Sequence, residues 1–516
     1  MITALVLLVA IGILGWGFYR AKPYGKVGIL SWLQSVALMA PWLIFFGLFA
    51  AGIYLNLVGI LVLLVISTGV YIFLGNRLRA EGHRSNRSNR FLSTNDPIQE
   101  GAGDASSPNG ATSTPESQPS ADDIDAPKAK LITEKVTTSE KSNGAQPTIP
   151  EDDLKSIQGI FGIDTFFVTD TIPYQDGAIF KGNLRGDPDP VHDRLSKSLA
   201  ERMGDRYRLF LVEGSEGRPT MIALPSTNDP KPTTTVQGIV AALLAIATIA
   251  TCAETAGLLL GFDVFRDTTH WAEILPLTSL IVLVLAVHEI GHRVLAKRHN
   301  ISLSPPFFIP TLQIGSFGAL TRFESLLPNR NILFDVAFAG PAAGGVLSLG
   351  LLVIGLVLSH QGSLFQVPTE FFQGSILVGT LARVILGSAM QQPLVDIHPF
   401  TMIGWLGLVI TAINLMPAGQ LDGGRIVQSI YGRKVARRAT IATLIVLGIA
   451  TLANPLALYW AIVILFIQRD LERPSLNELS EPDDARAALG LLALFLMAAT
   501  LLPLTPGLAG RLGIGG

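Results

Sequence analysis

Residues 271–296 read WAEILPLTSLIVLVLAVHEIGHRVLA, an apolar run that closes on Val287-His288-Glu289-Ile290-Gly291-His292. A helix crosses the hydrocarbon layer of a membrane with about 20 apolar residues, so the run is long enough to span. Its far end carries chemistry. His288 and His292 are four residues apart, stack on one face of a helix and can hold one metal ion together, with Glu289 beside the open coordination position. A carboxylate there can take a proton from a metal-acidified water and pass it to a leaving amine. The competing explanation is a chance pattern in a chain with eight histidines. Ionisable groups at membrane depth are rare and usually functional, which favours the metal.

The rest of the chain fits a multi-span membrane protein. Of 516 residues, 49% are hydrophobic and 15% charged, and the apolar residues gather into runs too long for a soluble core. Further candidate spans are 1–19, 29–51, 55–74, 236–262, 332–359, 400–416 and 487–504. Within 440–467, Asn454 and Pro455 mark either a kink or the turn of a short hairpin. The net charge of −2 gives no sign of a nucleic-acid partner, and the single cysteine, Cys252, excludes an internal disulfide. The first apolar stretch lacks a basic leader and the Arg- and Ser-rich character of a transit peptide, and is expected to be a retained span.

Five regions follow: amino-terminal spans over 1–76, a linker over 77–150, a soluble domain over 151–232, a membrane core over 233–438 and carboxy-terminal membrane segments over 439–516. The linker, rich in Ser, Thr, Asn, Asp, Pro and Gly from 93 to 150, is expected to be disordered. In the soluble domain, 165–169, 178–184, 208–212 and 220–224 read as strands. Val191, Leu195, Leu199 and Met203 share one helical face that Gly204 ends, giving a small α+β fold. Basic residues cluster at 20–26, 77–90, 293–298 and 433–438. The positive-inside rule then places the soluble domain on the cytoplasmic side.

A catalytic zinc usually has three protein ligands. The candidate for the third is Asp422, in Asn414-Leu-Met-Pro-Ala-Gly-Gln-Leu-Asp422-Gly-Gly-Arg425, where glycines allow close backbone approach. A solvated turn aspartate is the alternative, since Asp-Gly favours turns.

His-Glu-x-x-His in one span with Leu-Asp-Gly in a later one resembles the site-2 proteases. That resemblance implies a mainly α, polytopic helical bundle with a three-span metalloprotease core and a re-entrant strand segment. It implies His288, His292 and Asp422 as ligands of one zinc ion, Glu289 as general base and Asn414 as a helper at the substrate carbonyl. Gly315-Ser316-Phe317-Gly318 resembles the family's membrane-dipping segment that presents a strand edge to substrate, and Phe338-Ala-Gly340-Pro341 resembles the start of the middle core span. Gly182-Asn-Leu-Arg185 and His398-Pro399-Phe400 are similar to the EGY branch of chloroplasts and cyanobacteria, and a cyanobacterial plasma or thylakoid membrane is expected. No segment before or within the core resembles a PDZ domain.

The implied reaction is cleavage of transmembrane-helix substrates among membrane lipids. A substrate helix must be unwound, and an exposed edge near 315–320 would replace its backbone hydrogen bonds. A prenyl-protein peptidase is the nearest enzymatic rival, but its third ligand is a downstream glutamate and the first acid after His292 is Glu324. From another class, a transporter or inactive scaffold would use Glu254, mid-span, as its coupling group; a helix-to-helix hydrogen bond is the plainer role. His299 reads as a solvated helix end, His398 as either a groove residue or a loop anchor, and Gly182–Arg185 as a docking segment or a plain strand end.

Residues 374–392 are apolar with Arg383 at their middle. For Asp422 to reach the two histidines, 332–359 must run outward and 400–416 inward. Parity therefore predicts that 374–392 does not cross, and that Arg383 reaches headgroups or water.

Overall fold

In a computed structural model, residues 12, 14–50 and scattered positions from 63 to 78 are described in the amino-terminal part, and residues 149–514 apart from 175, 215–216, 268, 313, 453–454 and 466–469 thereafter. The chain divides into two units, 1–146 and 147–516. In the first, a short turn over Lys22–Tyr24 leads into α1 (Gly25–Ala50), whose one charged residue is Lys26. The spans expected at 1–19 and 55–74 and the linker lie largely outside the described residues.

The second unit opens with α2 (Glu151–Gln158) and a four-stranded antiparallel sheet of β1 (Phe166–Tyr174), β2 (Gly177–Leu184), β3 (Tyr207–Glu213) and β4 (Pro219–Pro225), in the order β1-β2-β4-β3. Between β2 and β3, α3 (Pro188–Met203) lays Val191, Leu195, Leu199 and Met203 on Phe166, Phe180, Leu211 and Met221. Each such side chain contributes about 1.5–3 kcal/mol by leaving water.

The membrane part then runs through α4 (Thr235–Leu260) and α5 (Trp271–Arg298), a hairpin of β5 (Phe307–Thr311) and β6 (Gly315–Leu320), and α6 (Arg330–Leu358). After β7 (Phe365–Pro368), α7 (Ile376–Leu386) and β8 (Leu394–Ile397) come α8 (Pro399–Asn414), α9 (Asp422–Ala450), α10 (Pro455–Val463), α11 (Asp484–Leu501) and α12 (Pro506–Leu512). The protein is mostly helical with small sheets, and four of its described helices, α4, α5, α6 and α11, are long and apolar enough to cross a membrane.

The expected span at 400–416 is shorter than read. Helix α8 has 16 residues, about 24 Å at 1.5 Å per residue, because the turn holding Pro417 and Gly419 follows at once. It is enclosed by its neighbours, with Ile403, Gly407, Ile410 and Ile413 all buried. The open reading of 440–467 resolves as a hairpin: α10 returns so that Trp460 and Val463 pack with Leu444 and Leu447 of α9.

Residues 374–392 form α7, 11 residues or about 16 Å, which breaks at Gly387 (φ 57°) into a tight turn. The chain enters and leaves this excursion through the antiparallel β7–β8 ladder, in which Phe365 faces Ile397 and Pro368 faces Leu394. Both ends therefore stand side by side, as parity requires. Arg383 is partly exposed, and its Nη1 donates to the carbonyl of Gly387 and closes its own helix.

Candidate metal centre

Helix α5 carries His288, Glu289 and His292 near its end, all buried. The Nε2 atoms of His288 and His292 are 3.2 Å apart. Asp422, the first residue of α9, brings Oδ2 to 3.2 Å from His288 Nε2 and 3.3 Å from His292 Nε2. A tetrahedral zinc ion with ligand distances of about 2.0–2.1 Å needs ligand-to-ligand edges of roughly 3.3–3.4 Å. The three atoms thus outline one face of such a tetrahedron.

The surroundings keep those atoms aimed at each other. His292 Nδ1 donates to the carbonyl of Val336 at 2.7 Å, which leaves Nε2 as the ring's free electron pair. Gly340 and Gly344 of α6 have the same four-residue spacing as the histidines and lie against them. A Cβ on Gly340 would stand 2.2 Å from His292 Nε2, and one on Gly344 would stand 3.0 Å from His288 Cβ. The two helices meet closely enough to cradle the imidazoles only because those positions lack side chains.

Glu289 is also near, with its carboxylate within 4.8 Å of the histidine nitrogens. It is already engaged: Thr321 Oγ1 donates to Glu289 Oε2 at 2.9 Å. Asp422 lies 3.2 and 3.3 Å from the two histidine nitrogens, so two carboxylates, Asp422 and Glu289, stand beside the histidine pair.

Asn414 ends α8, and its Nδ2 donates to the carbonyls of Ile410 (2.9 Å) and Phe317 (3.2 Å). One amide hydrogen therefore ties β6 to α8 and the other returns to a carbonyl of α8 itself, so neither points at open space. Gly318 makes this contact possible: its φ is +95° and a Cβ there would lie 2.4 Å from Asn414 Nδ2. Gly315, Ser316, Phe317 and Gly318 are all buried. A cleft of about 330 Å³ opens on His292, Asp422 and Asn414, and it is bordered by Phe307, Ala319 and Leu320 of the hairpin and by Thr321 and Arg322 just after it.

The remaining singled-out residues have structural partners. Glu254 is buried and accepts the backbone N–H of Val264 at 3.0 Å, stapling the loop after α4. His299 pairs with Asp335 at 3.3 Å. His398 Nδ1 accepts the N–H of Phe400 and caps α8. Gly182 lies where a Cβ would meet the Phe167 carbonyl at 2.2 Å, and Arg185 N–H donates to the Thr165 carbonyl, so this segment ends a strand.

Two residues at the centre were not singled out by sequence, Thr321 and Arg425. Thr321 gave no signal. Arg425 gave one: a charge three residues after Asp422 falls on the same helical face and must be paired at such depth.

Residues 276–454 match the model of peptidase family M50, and residues 155–231 match that of the EGY3 middle domain. The "Probable zinc metalloprotease EGY2, chloroplastic" of Arabidopsis thaliana is 38% identical over 366 residues, covering 69% of this chain and 65% of its own length. The "Probable zinc metalloprotease EGY1, chloroplastic" of the same plant is 37% identical over 406 residues, covering 70% and 73%. The "Probable zinc metallopeptidase EGY3, chloroplastic" is 32% identical over 388 residues, covering 70% and 68%. The chain thus spans about two thirds of the length of these relatives. No solved structure matches it.

Proposed function

The chain belongs to the M50, or site-2-protease, family of zinc metalloproteases, within its EGY branch, and on that premise we propose that it hydrolyses peptide bonds in or beside the transmembrane helices of other membrane proteins. The observation that carries this reading is the triangle of His288, His292 and Asp422 with Glu289 at its side, set at the end of a helix long enough to span the membrane. The three ligand positions and the role of Glu289 are part of the proposal.

Zinc, when bound, supplies a Lewis acid that polarises the scissile carbonyl and acidifies a water. Glu289 takes the proton of the attacking water and delivers it to the departing amine. Thr321 fixes the Glu289 carboxylate by donating to Oε2, leaving Oε1 to exchange the proton. The outer edge of β6 at 319–320 borders the cleft and offers hydrogen bonds to an extended substrate segment, at the far end of the 315–320 stretch read from the sequence, while the Arg322 backbone is held by Ser304 and the Thr321 carbonyl by Arg425. Asn414 keeps that strand at a fixed distance from the metal ligands by holding the Phe317 carbonyl, and it turns to the substrate carbonyl only by releasing it.

The core is read as α5, α6 and α8 with the first turn of α9, and β5–β6 as the re-entrant segment. Both the metal site and the soluble domain lie at the end of the bundle where α4 begins and α5 ends, since Glu324, in the loop before α6, accepts the N–H of Thr233. The basic run 293–298 lies at that end, which we place on the cytoplasmic side or its stromal equivalent. The chloroplast relatives favour a photosynthetic membrane. The test is elemental analysis of the purified full chain beside a cleavage assay on single-span substrates. Zinc with cleavage inside the span supports the proposal, and a metal-free protein or cleavage confined to soluble segments contradicts it.

A further inference from the structure

Arg425 is buried at 6% exposure in the first turn of α9, and three groups around the centre converge on it. Its Nη2 donates to the carbonyl of Thr321 at 2.8 Å, and Thr321 in turn holds Glu289. Its Nη1 is 4.0 Å from Asp422 Oδ1. Its Nε and Nη2 lie 3.0 and 2.9 Å from Glu472 Oε2, while the guanidinium sits over the Phe323 ring at 4.8 Å. One planar, permanently charged fork therefore touches the segment that fixes the base and approaches the carboxylate of the third ligand.

Glu472 is also buried, at 7%, and comes from far along the chain. It begins a strap, residues 472–480, that lies between the membrane core and the soluble domain. On the core side the Glu472 carbonyl accepts from Gln428 and Arg433, and the N–H groups of Leu476 and Asn477 donate to Leu327 and Pro328. On the domain side Leu211 of β3 exchanges backbone hydrogen bonds with Leu476 and Glu478, at 2.7 and 2.9 Å. Asn477 and Ser480 both donate to Asp189 in the first turn of α3, and Arg473 donates to the Asn228 carbonyl. The strap thus makes a parallel bridge, Leu211 to Asn477, at the free edge of the soluble sheet with one face and presents Glu472 to Arg425 with the other.

We propose that Arg425 and Glu472 are positioning residues, and that the soluble domain, by seating the strap, sets the alignment of Asp422 and Glu289. This rests on the roles assigned above to Asp422 and Glu289. Glu472 orients the guanidinium; Arg425 then holds the Thr321 carbonyl, and through Thr321 the Glu289 carboxylate, against the Asp422 side of the cleft. A partner that lifts the soluble domain would pull Glu472 away and slacken the centre without touching a metal ligand.

The experiment uses the full chain as wild type, Glu472→Gln, Glu472→Ala, Arg425→Ala, the Arg425→Ala/Glu472→Ala double variant and Asp189→Ala. Each is loaded with zinc for stoichiometry and cleavage of a single-span substrate, and with cobalt(II) for its visible absorption. Small misalignments of catalytic groups carry large rate penalties, so Glu472→Ala should lower kcat about tenfold or more while KM stays within about twofold and zinc stoichiometry is kept. Its cobalt band should shift, Glu472→Gln should recover most of the rate, Asp189→Ala should move both readouts the same way by less, and the double variant should be no slower than Arg425→Ala alone. Wild-type kcat and cobalt spectrum in Glu472→Ala, additive losses in the double variant, or unchanged behaviour of Asp189→Ala would overturn the proposal. If the wild type binds cobalt yet cleaves no substrate, the protease reading fails while the cobalt spectra still decide the positioning role.

Discussion

A Cβ on Gly340 would stand 2.2 Å from Nε2 of His292, closer than any non-bonded pair tolerates. The absence of a side chain on α6 is therefore a condition for the histidine to face Asp422, and the helix contact and the metal site are one design.

Gly340→Ala should accordingly weaken zinc binding roughly 10- to 100-fold, the range seen when groups supporting a metal ligand are disturbed. Gly350→Ala, on the same helix with nothing within 4 Å of its Cβ position, should leave zinc affinity unchanged. Competition with a chromophoric chelator measures both. Equal affinities in the two variants would break the link between the helix contact and the site.

Asp422→Ala removes one corner of the triangle and leaves His288 and His292 3.2 Å apart. Bound zinc should fall well below that of the wild type by elemental analysis. Unchanged stoichiometry would assign the third ligand to another residue, with Glu289 the nearest acid.

Thr321→Val keeps shape and deletes the hydrogen bond to Glu289. We expect kcat to fall about tenfold with KM and zinc content unchanged, and Thr321→Ser to restore the rate. A loss expressed in KM alone would place Thr321 in substrate binding instead.

Cysteines introduced at Ser363 and Asp396, in a background lacking Cys252, should react with a membrane-impermeant reagent from the same side. The Gly362 N–H donates to the Asp396 carboxylate at 2.8 Å and β7 pairs with β8, so both positions share one surface. Labelling from opposite sides would mean that 374–392 crosses.

What could be read from sequence was whatever local pattern determines. The His-x-x-x-His spacing on an apolar run and the 191–203 helical stripe are set by helix geometry, and both stand in the structure as read. Strand β1 runs to Tyr174, beyond the expected end at Thr169, because it is an edge strand and Pro173 there needs no ladder hydrogen bond. Ladders as short as β7 and β8, four residues each, have too few positions for alternation to show. The strap was missed for a different reason. Glu472, Asn477 and Ser480 are polar and carry no local pattern that marks burial, yet all are buried, since their partners are Arg425, Pro328 and Asp189 from distant parts of the chain. The meeting of Asp422 with the histidines is likewise a tertiary fact: the glycines around Asp422 made it a candidate beside the alternative of a solvated turn, and the family resemblance implied the ligand.

The central claim is that a carboxylate, beside the metal ligands but not one of them, runs the proton transfers. Glu289→Gln is nearly isosteric and still accepts from Thr321 Oγ1 through its amide oxygen. Cleavage of a single-span substrate by this variant, measured beside its zinc content, should fall to background while zinc stays at the wild-type stoichiometry. Cleavage at the wild-type rate would contradict the account.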